Sequence, residues 1–286
     1  MSADHVIGDW GHTRLRLWRM ENGAVAERRE GPGIARAGDP AAALAEALGD
    51  WSATRIVLCG MAGARNGFHE APYVSCPAGA ADWRSRAAVC DWRQSAVAIA
   101  PGLVTKDGGC DVMRGEETQL FGAMVCAPRL ARGRHCVVLP GTHSKWARLS
   151  EGRIEGFRTF MTGELFDLLQ RSSLFAAGGE AGEADVATGF ADGLDRRGAM
   201  SSLLFEARSA QLAGGKSAGW ASGFVSGVLI GAEIAAMEPL ESLTIIAEPA
   251  LVARYSLALG RRGLTPESLA AEDCTIAGLR LLDADA

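Results

Sequence analysis

Two stretches, IGDWGHTRLRLW (Ile7–Trp18) and LPGTHSKWARL (Leu139–Leu149), follow one plan. In each, an apolar run ends in a glycine turn with hydroxyl residues, and a run of basic and aromatic residues follows. A second turn closes each copy, Glu21-Asn22-Gly23 in the first and Glu151-Gly152 in the second. The interval from loop glycine to turn glycine is 12 residues from Gly11 to Gly23 and 11 from Gly141 to Gly152. Two strands joined at a short Asn-Gly turn read as a β-hairpin. The repetition predicts two related lobes, each with such a hairpin. The absence of a fixed short period excludes a solenoid.

Outward from the first copy, Ala24–Arg29 continues as a third strand. Pro40–Leu48 reads as a helix with Asp39 as N-cap and Gly49 just past its end. Arg55–Cys59 is a buried strand running into the Gly60–Gly63 loop, and Val97–Ala100 is a further strand. Around the second copy, Glu116–Ala127 has helical spacing and Cys136–Leu139 is a buried strand. A helix opens at Thr162 and runs through Leu169. Residues 176–198, small, acidic and glycine-rich, read as loop or short helix. Gly219–Met237 is a long helix, Leu243–Ala247 a strand, Ala250–Leu259 a helix and Ile276–Asp283 a short final element. Strands first, then alternating strands and helices, predict α/β lobes.

Composition narrows the function. The chain has 286 residues, with 48% hydrophobic and 22% charged residues, an ordinary globular balance. The 36 glycines, about 13%, exceed the usual ~7%. They call for many tight turns or for backbone that approaches something closely. The net charge of −5 offers no basic footprint, so no nucleic-acid partner is expected. The N-terminal residues lack a secretory pattern, and the longest apolar run, Ser217–Ala232, is short for a membrane span. The seven cysteines include no C-x-x-C pair, which points away from structural zinc and towards a reducing cytoplasm.

Four constellations could carry chemistry. In the first hairpin, Gly11 lets backbone N–H groups approach a phosphate and Thr13 adds a hydroxyl. Asp9 beside them would repel phosphate unless Mg²⁺ intervened, so it is the candidate metal ligand. A plain surface turn is the competing reading. In the second hairpin, Gly141, Thr142 and Lys145 repeat the arrangement with a cation, and His143 reads as a turn residue. Neither stretch is a Walker loop. Third, Asp111-Val112-Met113-Arg114-Gly115-Glu116-Glu117 groups carboxylates that could deprotonate a hydroxyl, or could simply be a charged helix start. Fourth, Gly219, Gly223, Gly227 and Gly231 form one stripe of a helix, most simply for close packing.

The chain resembles the 2-dehydro-3-deoxygalactonokinase family over about residues 6–280. The resemblance lies in IGDWGHTRLRLW, GMAGARNGF with APYVSCPA, VMRGEETQLFGA, LPGTHSKWARL, FRTFMTGELFDLL, SGVLIGAE and ALVARY, in that order. It implies the actin-like ATPase fold: α/β, with two RNase H-like lobes and a central nucleotide cleft. The N-terminal lobe is expected over 1–112 and the C-terminal lobe over 113–286. The implied reaction transfers the ATP γ-phosphoryl group to the 6-hydroxyl of 2-dehydro-3-deoxy-D-galactonate with Mg²⁺, in the cytoplasm. The partners are then ATP and a small sugar acid, with no nucleic acid and no membrane. A homodimer is a candidate assembly.

By that resemblance Asp9, Gly11 and Thr13 match the phosphate-1 loop, and Gly141, Thr142 and Lys145 match phosphate-2. Glu116 is the first candidate base, with Glu117 and Asp111 in reserve. Placement suggests Arg114, Gly60, Arg65 and Asn66 for the sugar acid. The chain departs from the family at His12, Arg14 and Glu248. Glu248 stands where a glycine usually receives adenosine. Two alternatives follow: a kinase for another sugar acid such as 2-dehydro-3-deoxygluconate, or a non-catalytic sugar-acid or nucleotide sensor descended from the kinase.

Overall fold

The computed structural model describes residues 5–106, 108–172, 182–237 and 242–283. In chain order come β1 (His5–Trp10), β2 (Arg14–Glu21), β3 (Ala24–Pro32), α1 (Pro40–Leu48), β4 (Arg55–Gly60), β5 (Tyr73–Ser75), β6 (Ala78–Gly79), α2 (Ala80–Arg84), β7 (Ala88–Trp92), β8 (Ser95–Ile99), β9 (Gly102–Thr105), β10 (Asp111–Met113) and α3 (Glu116–Cys126). They are followed by β11 (Arg134–Leu139), β12 (Ser144–Ser150), β13 (Arg153–Phe160), α4 (Thr162–Arg171), α5 (Glu183–Leu194), α6 (Met200–Ala213), α7 (Ala218–Ala235), β14 (Leu243–Ala247), α8 (Pro249–Gly260), β15 (Glu267–Ala270) and α9 (Ala271–Asp283).

Two six-stranded sheets carry the fold, ordered β3-β2-β1-β4-β8-β7 and β15-β14-β11-β12-β13-β6. In the first, β1 pairs antiparallel with β2 and parallel with β4, and β4 pairs parallel with β8. In the second, β11 pairs parallel with β14. Both sheets therefore hold three consecutive strands, then a parallel strand beside the first of them. The hairpin repeat seen in the sequence is the shared edge of this plan. Its two turns agree in detail. Asn22 and Gly23 have φ of 50° and 77°, and Glu151 and Gly152 have 46° and 75°. Positive φ at both central residues matches the twist of a two-residue hairpin. A third, three-stranded sheet has the order β10-β9-β5.

The chain divides into two compact units, Met1–His135 with Ala147–Arg158 and Leu269–Ala286, and Cys136–Trp146 with Thr159–Ser268. The first buries Trp10, Leu15, Leu17, Leu44, Ile56, Leu58 and Ile99 between sheet and α1. The second buries Val138, Trp146, Phe190, Ile230, Ile245 and Tyr255. Helix α1 has the boundaries read from the sequence. The Asp39 side chain accepts from the Ala41 N–H at 2.9 Å, and Gly49 has φ of 55°.

The glycine stripe on α7 packs against α5, as its spacing suggests. A Cβ on Gly223 or Gly227 would lie 2.1 Å from the Val186 carbonyl oxygen or 2.3 Å from that of Phe190. Within 176–198, the described residues form a twelve-residue helix, α5. Gly189 and Gly193 face the Trp220 and Phe224 carbonyls, so these glycines serve helix packing, not turns. The final element is longer than expected, thirteen residues from Ala271. It packs on α3, where Gly278 meets the Thr118 carbonyl. Helix α6, which ends at Gly214 with Gly215 at φ of 66°, was not anticipated. The one described helix long and apolar enough to cross a membrane is α7, and 78% of its apolar window is buried inside the protein.

Candidate active site

In the first unit, β1 and β4 end side by side. Asp9 stands opposite Arg16 on β2 and Cys59 on β4. Its carboxylate, 15% exposed, accepts from Arg16 Nη2 at 2.6 Å and from the Cys59 thiol at 3.6 Å. Burial and the nearby Asp9 charge push the Cys59 thiol well up. Gly11 closes the turn with its N–H on the Arg14 carbonyl at 2.8 Å. The turn rests on Gly33, whose missing side chain lets the chain pass. A Cβ there would lie 2.2 Å from the Thr13 backbone. The Ile34 and Ala35 N–H groups donate to the Gly11 and His12 carbonyls at 3.1 and 3.2 Å. Thr13 and His12 are exposed.

The carboxylate segment meets the same strand ends. Gly60, at φ of 71°, lies against Trp10 and Asp9, and a Cβ on Gly115 would lie 3.2 Å from the Gly60 Cα. Only glycine joins these backbones so closely. Glu116 opens α3 partly exposed, with Oε2 accepting the Arg114 N–H at 3.2 Å. Glu117 is 0% exposed and accepts from the Gly115 N–H at 2.7 Å and the Thr118 hydroxyl at 3.0 Å. Burial, reinforced by the neighbouring Glu116 charge, pushes its carboxyl up to about 7. Asp111 lies on β10 of the small sheet, opposite Thr105, and accepts the Val112 N–H at 2.7 Å.

The Arg114 guanidinium stacks over Tyr73 at 4.3 Å and donates to the Ala71 carbonyl at 2.8 Å. Its Nε and Nη1 are enclosed without a hydrogen-bond partner among the described residues. Two such donors fit a carboxylate. Arg65 and Asn66 are exposed at the tip of the 61–67 loop.

In the second unit the turn at Gly141–Thr142 rests on the start of α4. The Glu164 N–H donates to the Thr142 carbonyl at 2.9 Å, and a Cβ on Gly163 would lie 2.4 Å from the Gly141 carbonyl oxygen. His143 Nε2 and Glu164 are 2.6 Å apart. Lys145 is only 5% exposed, and its ammonium donates to Thr159 Oγ1 at 2.9 Å. A pocket lined by Gly141, Thr162, Gly163, Phe166, Arg254 and Tyr255 opens beside the turn. A second, apolar pocket of about 240 Å³ shares Phe166, Ser226 and Arg254 with it. Glu248 precedes α8, exposed, at φ of −69°, a backbone that any residue adopts.

Sequence reasoning missed a buried polar network here. Glu233, 2% exposed on α7, accepts from Trp146 Nε1 at 2.6 Å, from the Thr162 hydroxyl and from the Tyr255 hydroxyl at 2.9 Å. Burial pushes its carboxyl up, against the pull of these donors. The partner of Asp9 was within reach. A turn at residues 11–13 sets Arg16 opposite Asp9.

These features define a fold class: the actin-like ATPase fold, α/β with two RNase H-like lobes, each with its glycine turn. The chain belongs, more narrowly, to the 2-keto-3-deoxy-galactonokinase family, whose family model matches residues 9–282. It is 40% identical to the "Probable 2-dehydro-3-deoxygalactonokinase DgoK1" of Rhizobium meliloti (strain 1021), over 95% of this chain and 94% of that protein. It is 38% identical to the 2-dehydro-3-deoxygalactonokinase of Escherichia coli (strain K12), over 98% and 97%. A Sinorhizobium meliloti crystal structure bearing the same enzyme name superimposes with a TM-score of 0.87 at 37% identity, covering 98% and 95%. The activator of a Clostridium difficile 2-hydroxyisocaproyl-CoA dehydratase shares the fold alone, with a TM-score of 0.51 at 10% identity over 98% and 94%.

Proposed function

We propose that the chain transfers the γ-phosphoryl group of ATP to the 6-hydroxyl of 2-dehydro-3-deoxy-D-galactonate, in the cytoplasm. Family membership over nearly the whole chain is the observation that supports this most. The arrangement within the first unit fits it. Glu116, at the N-terminal end of α3, takes the proton of the attacking hydroxyl. Glu117 has no exposed surface to offer a substrate, and Asp111 sits on a separate small sheet, so Glu116 remains the first choice. Arg114, half-buried beside Tyr73, is the proposed partner of the sugar-acid carboxylate, with the Gly60 backbone, Arg65 and Asn66 around it.

Phosphoryl transfer needs positioning and charge stabilisation more than covalent chemistry. Thr13, Thr142 and Lys145 supply hydroxyl and ammonium donors for phosphate oxygens, and Gly11 and Gly141 leave room for phosphate to approach the turns. The pocket beside Gly141 takes the nucleotide, with Glu248 exposed near it. Asp9 offers Mg²⁺ the hard oxygen this ion prefers. Among the described residues no group of three or more His, Cys, Asp or Glu could hold a metal alone. When bound, Mg²⁺ neutralises phosphate charge.

The test is ADP release from ATP–Mg²⁺ over a panel of keto-deoxy sugar acids. Turnover with the galactonate derivative supports the proposal. Turnover only with 2-dehydro-3-deoxygluconate moves the substrate to its epimer. Calorimetry that detects sugar acid but no ATP would favour a sensor.

A further inference from the structure

We infer that Glu233 is a positioning residue for the phosphate turn at Gly141–Thr142, set from beneath by holding both chain segments that flank it. The inference rests on reading that turn as a phosphate site. Glu233 sits near the end of α7 and is 2% exposed. A carboxylate taken out of water costs several kcal/mol unless its oxygens are well served. Here Trp146 Nε1, Thr162 Oγ1 and the Tyr255 hydroxyl all donate to it, and Tyr255 lies 3.0 Å from Ser144 Oγ. These partners are neutral, so no ion pair among the described residues explains the burial. They come from β12, α4 and α8, and they close on the turn. Ser144 opens β12 two residues after it, and Thr162 is the first residue of the helix on which it rests.

The link from carboxylate to turn is short. Thr162 is pinned by Glu233. The next two residues, Gly163 and Glu164, meet the Gly141 and Thr142 carbonyls. On the other side, Glu233 holds Tyr255, which holds Ser144. A rotation of the first turn of α4 would thus move the carbonyls of Gly141 and Thr142, and with them the N–H groups aimed at phosphate. Thr162 and Tyr255 also line the pocket beside Gly141. Burying a carboxylate is a poor way to gain stability, since apolar replacements of similar volume are often neutral. A carboxylate that gathers donors from three elements next to a ligand turn is better explained by the position it imposes.

Three variants test this, each read by steady-state kinetics, calorimetry with ATP–Mg²⁺ and thermal unfolding. In Glu233→Gln the amide keeps one acceptor and must turn a donor towards Thr162 or Tyr255. In Thr162→Val one donor is lost and the carboxylate stays. Tyr255→Phe cuts the link to Ser144. The expected result is a KM for ATP raised about tenfold or more in Glu233→Gln and Thr162→Val, less in Tyr255→Phe. The KM for the sugar acid stays within about twofold. A KM for ATP unchanged in folded variants overturns the inference. So does a fall in kcat that tracks lost folded protein with both KM values unmoved. If Glu233→Gln fails to fold, Thr162→Val decides. A wild-type chain that binds no ATP overturns the phosphate reading itself, and this inference with it.

Discussion

The two glycine hairpins share a backbone and differ in what holds them. Each has a strand, a glycine turn, a second strand and a two-residue turn at positive φ. Each turn also rests on a glycine from elsewhere in the chain, Gly33 for the first and Gly163 for the second. Their charges are opposite. The first carries Asp9, partly open to solvent and held by Arg16 across the strand pair. The second carries Lys145, buried against Thr159, and stands over the carboxylate of Glu233. A repeated backbone thus carries opposite charges at its two turns, and we propose that side chains divide the labour between them. The acidic turn suits a metal, and the basic turn suits phosphate oxygens directly.

That division can be broken at several points. The largest effect is expected from Glu116→Gln beside the acidic turn, lowering kcat by about 10²–10⁴-fold. Near wild-type turnover in a folded Glu116→Gln protein would remove Glu116 as base. Lys145→Met, in the basic turn, should lower kcat/KM by about 10²-fold through loss of a buried donor to phosphate. A wild-type value there would break the assignment of phosphate charge to the second hairpin.

Glu117→Gln should act on stability with a defined pH window. The folded chain holds the Glu117 proton up to about pH 7, while the unfolded chain releases it near the ordinary 4.5. The folded state therefore binds the extra proton, and stability falls as pH rises through that window, by roughly 3 kcal/mol at most. Urea unfolding at a series of pH values should show this slope in the wild type and lose it in Glu117→Gln. The smallest changes come from the supports. Gly33→Ala and Gly163→Ala each force a Cβ into backbone, at about 1–3 kcal/mol. Gly163→Ala should also raise the KM for ATP, and Gly33→Ala the Mg²⁺ concentration for half-maximal rate. Identical kinetic signatures in the two variants would contradict the division of labour.

Much of this was legible in residue order. The hairpins, the Asp39 cap and the α7 stripe are local signals, and each follows from turn chemistry or a 3.6-residue period. Even the Asp9–Arg16 pair follows from the length of one turn. The Glu233 network was not legible. Its partners lie 71, 87 and 22 residues away, and nothing in a local window marks them. Helix α5 stays open between loop and short helix in the sequence, because its glycines and acidic residues favour a helix only when another helix is there to receive Gly189 and Gly193. The two-lobed α/β class came from repetition, which survives in sequence when tertiary contacts do not.

The central proposal is that this chain transfers a phosphoryl group to a sugar-acid hydroxyl. It is tested most directly by ³¹P and ¹³C NMR of the chain with ATP, Mg²⁺ and 2-dehydro-3-deoxy-D-galactonate. ADP and a single phosphomonoester on the C6 oxygen should accumulate in equal amounts. ATP left intact, or inorganic phosphate released with the sugar acid unchanged, would contradict the account.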